Sequence, residues 1–184
     1  EAAAQAFSKP RPKGSVGLQI ISTDRPALYQ DAGRPGLGNQ GVSESGAADL
    51  AALRTANELL GNVLDSVAVE ITYGGFSLKA GEPVTCAVTG ADVPIRIGSA
   101  HGRTVEVSPG VAFALDAGDL LTLGVPLSGV RSYLAIRGGF DVDRVLGSGS
   151  TDTLAKLGPA PIKAGDILLP ANETCVSIYP YPLA

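Results

Sequence analysis

Residues 84–97 read VTCAVTGADVPIRI, and this stretch decides between a sheet and a bundle of helices. Val84 to Val88 is a short apolar run, Thr89-Gly90-Ala91-Asp92 interrupts it, and Val93 to Ile97 forms a second run. Runs of four to five bounded by Gly and Asp have the length of strands and are too short for helices. The pattern repeats outward in both directions, at Leu18 to Ile21, Val67 to Ile71, Thr104 to Val107, Leu120 to Leu123, Tyr133 to Ile136 and Ile167 to Leu169. Short strands at a spacing of roughly 8–12 residues predict a barrel or sandwich, because the crossover helices of a parallel α/β sheet have no place between them.

Residues 47–60 depart from this pattern. Leu50, Leu53, Ala56 and Leu60 recur at helical spacing, with Asp49, Arg54, Asn57 and Glu58 between them. Ser45 is placed to cap the start, Asp49 to cap or favour it electrostatically, and Gly61-Asn62 to stop the end. The expected architecture is therefore mainly β with one main helix at about 47–60 that packs across the β-structure. The triplets Ala80-Gly81-Glu82, Ala117-Gly118-Asp119 and Ala164-Gly165-Asp166 each precede an apolar run and read as turns with Gly at positive φ.

Of the 184 residues, 45% are hydrophobic and 17% charged, which is enough apolar material for one globular core. Trp is absent and there are five Tyr and four Phe, so Val, Leu, Ile and Ala must fill that core. The net charge is −4 with Lys and Arg dispersed singly, so nucleic acid is not an expected partner. No run reaches the roughly 20 apolar residues of a membrane span, and a membrane is not an expected partner either. Cys86 and Cys175 lie in separate β-type runs and read as two buried free thiols, as in a reducing cytoplasm. The sequence begins at Glu1 and contains no Met, and residues 1–15, with Pro10 and Pro12, read as a flexible tail or a linker.

Several chemistries find no support. No nucleotide-binding Gly-rich loop is present, and the lone His101 lies in what reads as a hairpin tip. One His and two isolated Cys do not make a zinc site, and no metal is expected. What remains is the polar, Gly-rich segment from Gln30 to Asp49, which runs directly into the helix. Glycine at that density costs backbone entropy unless the loop needs special geometry, and a helix start offers free N–H groups to an anion or carbonyl. Asp31 and Arg34 are spaced to pair with each other, and a structural loop tied down by its own salt bridges is the alternative. A second segment runs from Arg131 through Ile136-Arg137-Gly138-Gly139 to Leu146-Gly147-Ser148-Gly149-Ser150-Thr151. Arg131 and Arg137 could grip a carboxylate together, or each could bridge to a surface acid.

These same segments carry a resemblance. QDAGRPGLGNQGVSESGAAD (30–49), ANELLGN (56–62), EITYGG (70–75), TGAD (89–92), SYLAIRGGFDV (132–142) and LGSGSTDTLAKLGPAP (146–161) follow one another in the order of a known motif series. Each motif alone is weak, and together they make a specific match across about 16–170. The chain resembles the N-terminal half of the biotin-dependent carboxyltransferase family that includes the 5-oxoprolinase C component, the second component of allophanate hydrolase and the kinase-inhibitor antagonist of sporulation. The resemblance implies a cyclophilin-like β-barrel over 16–178. Residues 179–184 would then begin the connection to a second domain. It also implies work in a heteromeric complex with an A-type protein and a related B-type protein, the latter either separate or fused upstream. ATP would be used by the complex, biotin, where the reaction uses it, would be carried by a partner, and no cofactor would be held by this chain.

The implied substrate is a small amide or lactam. 5-Oxoproline is the first expectation, urea or allophanate the alternative, and a non-catalytic binding module the third reading. Asp31, Arg34 and Glu70 are the residues expected to carry chemistry. Ser45, Gly46, Asp49, Asn57, Arg137, Ser148 and Ser150 are expected to bind substrate. The fragment alone is expected to be inactive. The sequence departs from the family pattern at Gly149, where Arg is frequent, and at Ala48, where Met is frequent.

Overall fold

The computed structural model describes residues 16–171 together with Glu173 and Cys175. The proposed tail at 1–15 and the proposed connection at 179–184 lie outside the described residues. Strands β1 (Leu18–Thr23), β2 (Ala27–Gln30), β3 (Ala68–Thr72), β4 (Phe76–Ala80), β5 (Val84–Asp92) and β6 (Ile95–Gly98) are followed by β7 (Thr104–Val107), β8 (Ala112–Leu115), β9 (Leu120–Leu123), β10 (Ser128–Ile136) and β11 (Ile167–Leu168). Among the described residues, one α-helix, α1 (Leu50–Leu59), and a 3₁₀ turn at Gly38–Gln40 complete the regular structure. The chain is mainly β, and all strand pairings among the described residues are antiparallel.

The interruption read at 89–92 does not end the first run. Strand β5 runs through it to Asp92. Gly90 makes this possible: its φ is +93°, and a Cβ there would stand 2.4 Å from the Arg131 carbonyl oxygen on β10. The β5–β10 register shifts between Ser128 and Ser132, so the glycine sits in an irregularity that bends the strand without ending it. The short strands β2, β4 and β8 add to the runs that the sequence shows most clearly.

The strands form two sheets. One has the order β11-β1-β4-β9-β6-β7 and the other β2-β3-β10-β5-β8. Their facing sides share one apolar core that includes Leu18, Ile20, Ile71, Phe76, Leu78, Val88, Ile95, Leu121, Leu134 and Ile136. The middle of the second sheet is covered on its other side as well, which is why Ser132 to Ile136 are buried without alternation. Along β10, Leu134 and Ile136 point into the core, whereas Tyr133 and Ala135 point to the helix.

Helix α1 rests on a floor of small residues. Ala68, Ala87 and Ala135 lie under Leu53, Ala56 and Leu60, and the absence of longer side chains lets the helix approach the sheet. The helix is shorter than the expected 47–60, and its cap is Asp49, whose side chain accepts from the Ala52 N–H at 3.0 Å. Ser45 does not cap: its φ is +56°, and its hydroxyl turns away to the Thr151 carbonyl. The end matches expectation, with Gly61 left-handed directly after the Leu60 cap. His101 is exposed in the turn between β6 and β7. Gly118 and Gly165 have positive φ as expected of turn glycines, and Gly81 does not. No described helix is long and apolar enough to cross a membrane.

Leu53 is fully buried between helix and sheet. Leu53→Ala is expected to lower the unfolding free energy by about 2–5 kcal/mol, whereas Glu58→Ala on the exposed face changes it by less than about 0.5 kcal/mol. Denaturant titration of both variants checks this, and equal midpoints would mean that the helix is not docked as described.

Candidate functional site

The two polar loops, 31–48 and 145–158, are joined by one buried carboxylate. Asp31 follows β2 directly. Its Oδ1 accepts from the Ser148 hydroxyl at 2.6 Å, the Ser150 hydroxyl at 2.6 Å and the Gly33 N–H at 2.8 Å. Its Oδ2 accepts from the Gly149 N–H at 2.7 Å. Ser148 and Ser150 are as buried as the aspartate. The contact at Gly149 leaves little room for a side chain, since a Cβ there would stand 2.7 Å from Val67 Cγ2 and 2.8 Å from Val142 Cγ2.

Arg34 reaches the same loop from a second side. It is 1% exposed; its Nε donates to the Val145 carbonyl at 2.9 Å and its Nη2 to the Ser150 carbonyl at 2.6 Å. The ion pair that the spacing suggested between Asp31 and Arg34 does not form, because each side chain binds 145–150 instead. Arg34 Nη1, Gln30 Oε1 and Thr151 Oγ1 are buried polar atoms with no partner among the described residues. The Gln30 amide nitrogen donates to the Thr151 carbonyl at 3.2 Å.

Gly33 and Gly46 bring the first loop back upon itself. A Cβ on Gly33 would lie 2.4 Å from the Glu44 carbonyl, and one on Gly46 2.9 Å from the Gly33 nitrogen. The crossing is fixed by Arg34 N–H to Glu44 O at 2.6 Å and Ala47 N–H to Asp31 O at 3.0 Å. Asp152 closes the arrangement, accepting from the Ser43 hydroxyl and from the N–H groups of Leu154 and Ala155, both at 2.9 Å. Burial pulls the Asp152 carboxyl upward, but the Ser43 hydroxyl, the two N–H groups and the Arg34 charge outweigh it, so it titrates below the usual range.

A second acid organises the start of α1. Glu70 on β3 is opposite Tyr133 on β10, which is in turn opposite Thr89 on β5. Glu70 Oε2 accepts from the Tyr133 hydroxyl at 2.8 Å and from the Ala48 N–H at 2.9 Å. The Tyr133 oxygen accepts from the Asp49 N–H at 2.7 Å, and Thr89 donates to the Ala52 carbonyl at 2.6 Å. Burial and then Glu70 push the tyrosine hydroxyl far up, against the pull of the Asp49 N–H, so it stays protonated. Arg131 stands 3.5 Å from Glu70 Oε1 and contacts the Thr72 hydroxyl.

The remaining expected residues lie at the other end of the helix. Asn57 is buried, donates to the Leu64 and Ser66 carbonyls at 3.1 and 2.8 Å, and accepts from Asn62 at 3.0 Å. Arg137 donates to the Leu60 carbonyl at 2.6 Å, a cation at a helix C-terminus. Six residues of strand separate Arg131 from Arg137, about 20 Å, so the two cannot grip one carboxylate. Arg137 lines an open cavity of about 410 Å³ with Glu82, Thr85, Gly138, Glu173 and Cys175. Cys175 is half-buried and contacts Asn62 at 3.3 Å, whereas Cys86 is the fully buried thiol, pushed up to about 12 by burial. No cluster of metal-ligating side chains occurs among the described residues.

The structure thus brings Asp31, Arg34, Ser45, Gly46, Ser148 and Ser150 into one network, places Glu70 and Asp49 beside it, and sets Asn57 and Arg137 apart. Sequence reasoning did not single out Tyr133, Asp152 or Ser43. For Tyr133 a signal was present: a lone hydroxyl in an otherwise apolar buried strand needs a partner.

Asp31→Ala strands four donors in a dry place and is expected to cost about 3 kcal/mol or more. An unchanged unfolding midpoint would show that the loops do not depend on this carboxylate. Asp152 contributes stability that is fully present above about pH 4 and is lost as the pH falls through its lowered native-state value. The stability gap between the protein and Asp152→Asn is therefore expected to narrow on acidification from pH 5 to pH 3. A gap that stays constant in pH-resolved denaturation would contradict the lowered value.

Comparison with known proteins adds relatives to this geometry. The C component of 5-oxoprolinase from Escherichia coli K12 is 40% identical over 141 residues, covering 77% of this chain and 44% of that protein. The urea amidolyase of Saccharomyces cerevisiae is 35% identical over 159 residues, covering 79% of this chain and 8% of that protein. The crystal structure of Kluyveromyces lactis urea carboxylase superposes with a TM-score of 0.79 at 29% identity, covering 92% of this chain and 15% of that one. The chain spans about half the length of the curated 5-oxoprolinase C components that it matches. Residues 40–177 match the carboxyltransferase domain, subdomain A and B, and the chain belongs to that family.

Proposed function

We propose that this chain is the first domain of a protein of the 5-oxoprolinase C type and serves ATP-dependent opening of a small lactam in a complex with A-type and B-type partner proteins. The observation that carries this reading is the 40% identity to a 5-oxoprolinase C component over 77% of the chain. In this reading ATP is consumed by the complex and this chain holds no cofactor. The similarity to urea amidolyase and urea carboxylase supports a second reading, carboxyl transfer to urea, in which biotin is carried by a partner.

The joined loops supply a preorganised rim. Ser45, Gly46 and Asp49 lie on its outer side, next to the positive dipole end of the helix, which suits a polarised carbonyl. Asp31, Arg34, Ser148 and Ser150 fix the shape of that rim from within, and Glu70 sets the first turn of the helix through Tyr133. A partner that closes over the rim supplies the exclusion of water that such a transfer needs. The chain alone is expected to be inactive.

The test is ATP hydrolysis by the full-length parent mixed with its A-type and B-type partner proteins, with and without 5-oxoproline. Turnover is expected to require both the lactam and the parent of this chain. Asp31→Ala, Arg34→Ala and Glu70→Ala are expected to lower it at least about tenfold, equivalent to about 1.4 kcal/mol of barrier. Lactam-independent behaviour from folded, complexed proteins would overturn the reading, and urea-dependent carboxylation would then favour the second one.

A further inference from the structure

Arg144 is a half-exposed guanidinium placed between two acids and hydrogen-bonded to neither. Its Nη1 stands 3.8 Å from Asp31 Oδ2 and its Nη2 stands 3.7 Å from Glu173 Oε1. Both distances exceed hydrogen-bond length. Asp31 Oδ1 already accepts from Ser148, Ser150 and Gly33 and its Oδ2 from Gly149, at 2.6–2.8 Å, so Asp31 is held by its own loops and Arg144 adds only a long ion pair to it. The planar fork of Arg144 thus makes two long ion pairs and no hydrogen bond among the described residues.

Glu173 is placed differently. Its backbone is anchored by an N–H bond to the Gly138 carbonyl at 2.9 Å, but its side chain is 45% exposed. It lines the open cavity of about 410 Å³ that also holds Arg137, Thr85 and Glu82, a volume within the range of small-molecule sites. Arg144 does not itself line this cavity and meets it through Glu173.

A guanidinium with unmatched donors beside an open cavity suits a planar carboxylate, which it binds through two parallel N–H bonds. We propose that Arg144 and the adjoining cavity form a subsite for a small monocarboxylic acid, whose carboxylate replaces Glu173 beside Arg144. Glu173 is then the resident competitor: its charge holds the guanidinium in place and must move aside when the ligand binds. Identifying the ligand as a lactam acid such as 5-oxoproline rests on the proposed function. The subsite itself rests only on Arg144, Glu173 and the cavity.

The test is a titration of the full 184-residue chain with L-5-oxoproline, with its neutral amide and with cyclopentanecarboxylate, followed by NMR. Arg144→Gln is expected to weaken binding of the acid about tenfold, the loss of one charge-assisted bidentate contact. Glu173→Gln is expected to tighten it severalfold, and the amide to bind at least about tenfold more weakly than the acid. Both side chains are substantially exposed, and an unchanged melting temperature confirms that folding is not the cause. The proposal is overturned if no acid binds saturably, if Arg144→Gln binds as the unaltered chain does, or if Glu173→Gln weakens binding. Binding of cyclopentanecarboxylate with the expected response to both variants, but none of 5-oxoproline, would keep the subsite and remove the lactam assignment.

Discussion

The arrangement of this domain around its loops depends on one buried negative charge. Asp31 is a carboxylate taken out of water and resolvated by two hydroxyls and two peptide N–H groups. A charge buried in this way is tolerable only if nearly every lone pair is occupied, and the four donors come from both loops. The need to satisfy Asp31 therefore dictates the path of 148–150, and Arg34, by collecting the carbonyls of the same segment, fixes the opposite polarity. The loop has no regular secondary structure, and these two side chains take over much of the work that a ladder of backbone bonds would do.

The Glu70, Tyr133 and Thr89 row does the equivalent for the helix. A helix start leaves its first N–H groups without partners. Here Asp49 takes one, Tyr133 takes the N–H of Asp49, and Glu70 takes that of Ala48. The polar row lies under the first turn and the alanine floor under the body of the helix, so the position of α1 along the sheet is set by chemistry and its height by side-chain size. Because Ala47 also donates to the Asp31 carbonyl, the two buried acids act on adjacent residues of one continuous rim.

Much of the fold was legible because it rests on local pattern. The strand-length runs and the single helical period gave a mainly β chain with one helix, and the motif series gave the family. What failed was punctuation. Thr89 to Asp92 reads as a break between two runs, and only the close approach of Arg131 on a distant strand shows why Gly90 bends the strand instead of ending it. Ser45 reads as a cap until Thr151, over a hundred residues away, claims its hydroxyl. The site residues divide in the same way. Their residue types marked Asp31, Arg34, Ser148 and Ser150 as unusual, but the expected Asp31–Arg34 pair was wrong because the better partner of each lies on another loop. Arg144 carried no local signal, since an arginine between Asp143 and Val145 looks like ordinary surface.

The joining of the two loops also bears on how the chain becomes ordered. Asp31 and Ser148 are separated by 117 residues, and eight of the eleven described strands, β3 to β10, lie between them. Closing so long a segment is entropically unfavourable until the sheets have shortened the effective distance. On the ribosome the Asp31 side chain must wait for residue 150 to emerge, and through most of synthesis it is a solvated surface aspartate beside a disordered glycine loop. The rim thus records completion of the framework from β1 to β10, since no nascent chain that stops short of residue 150 can form it.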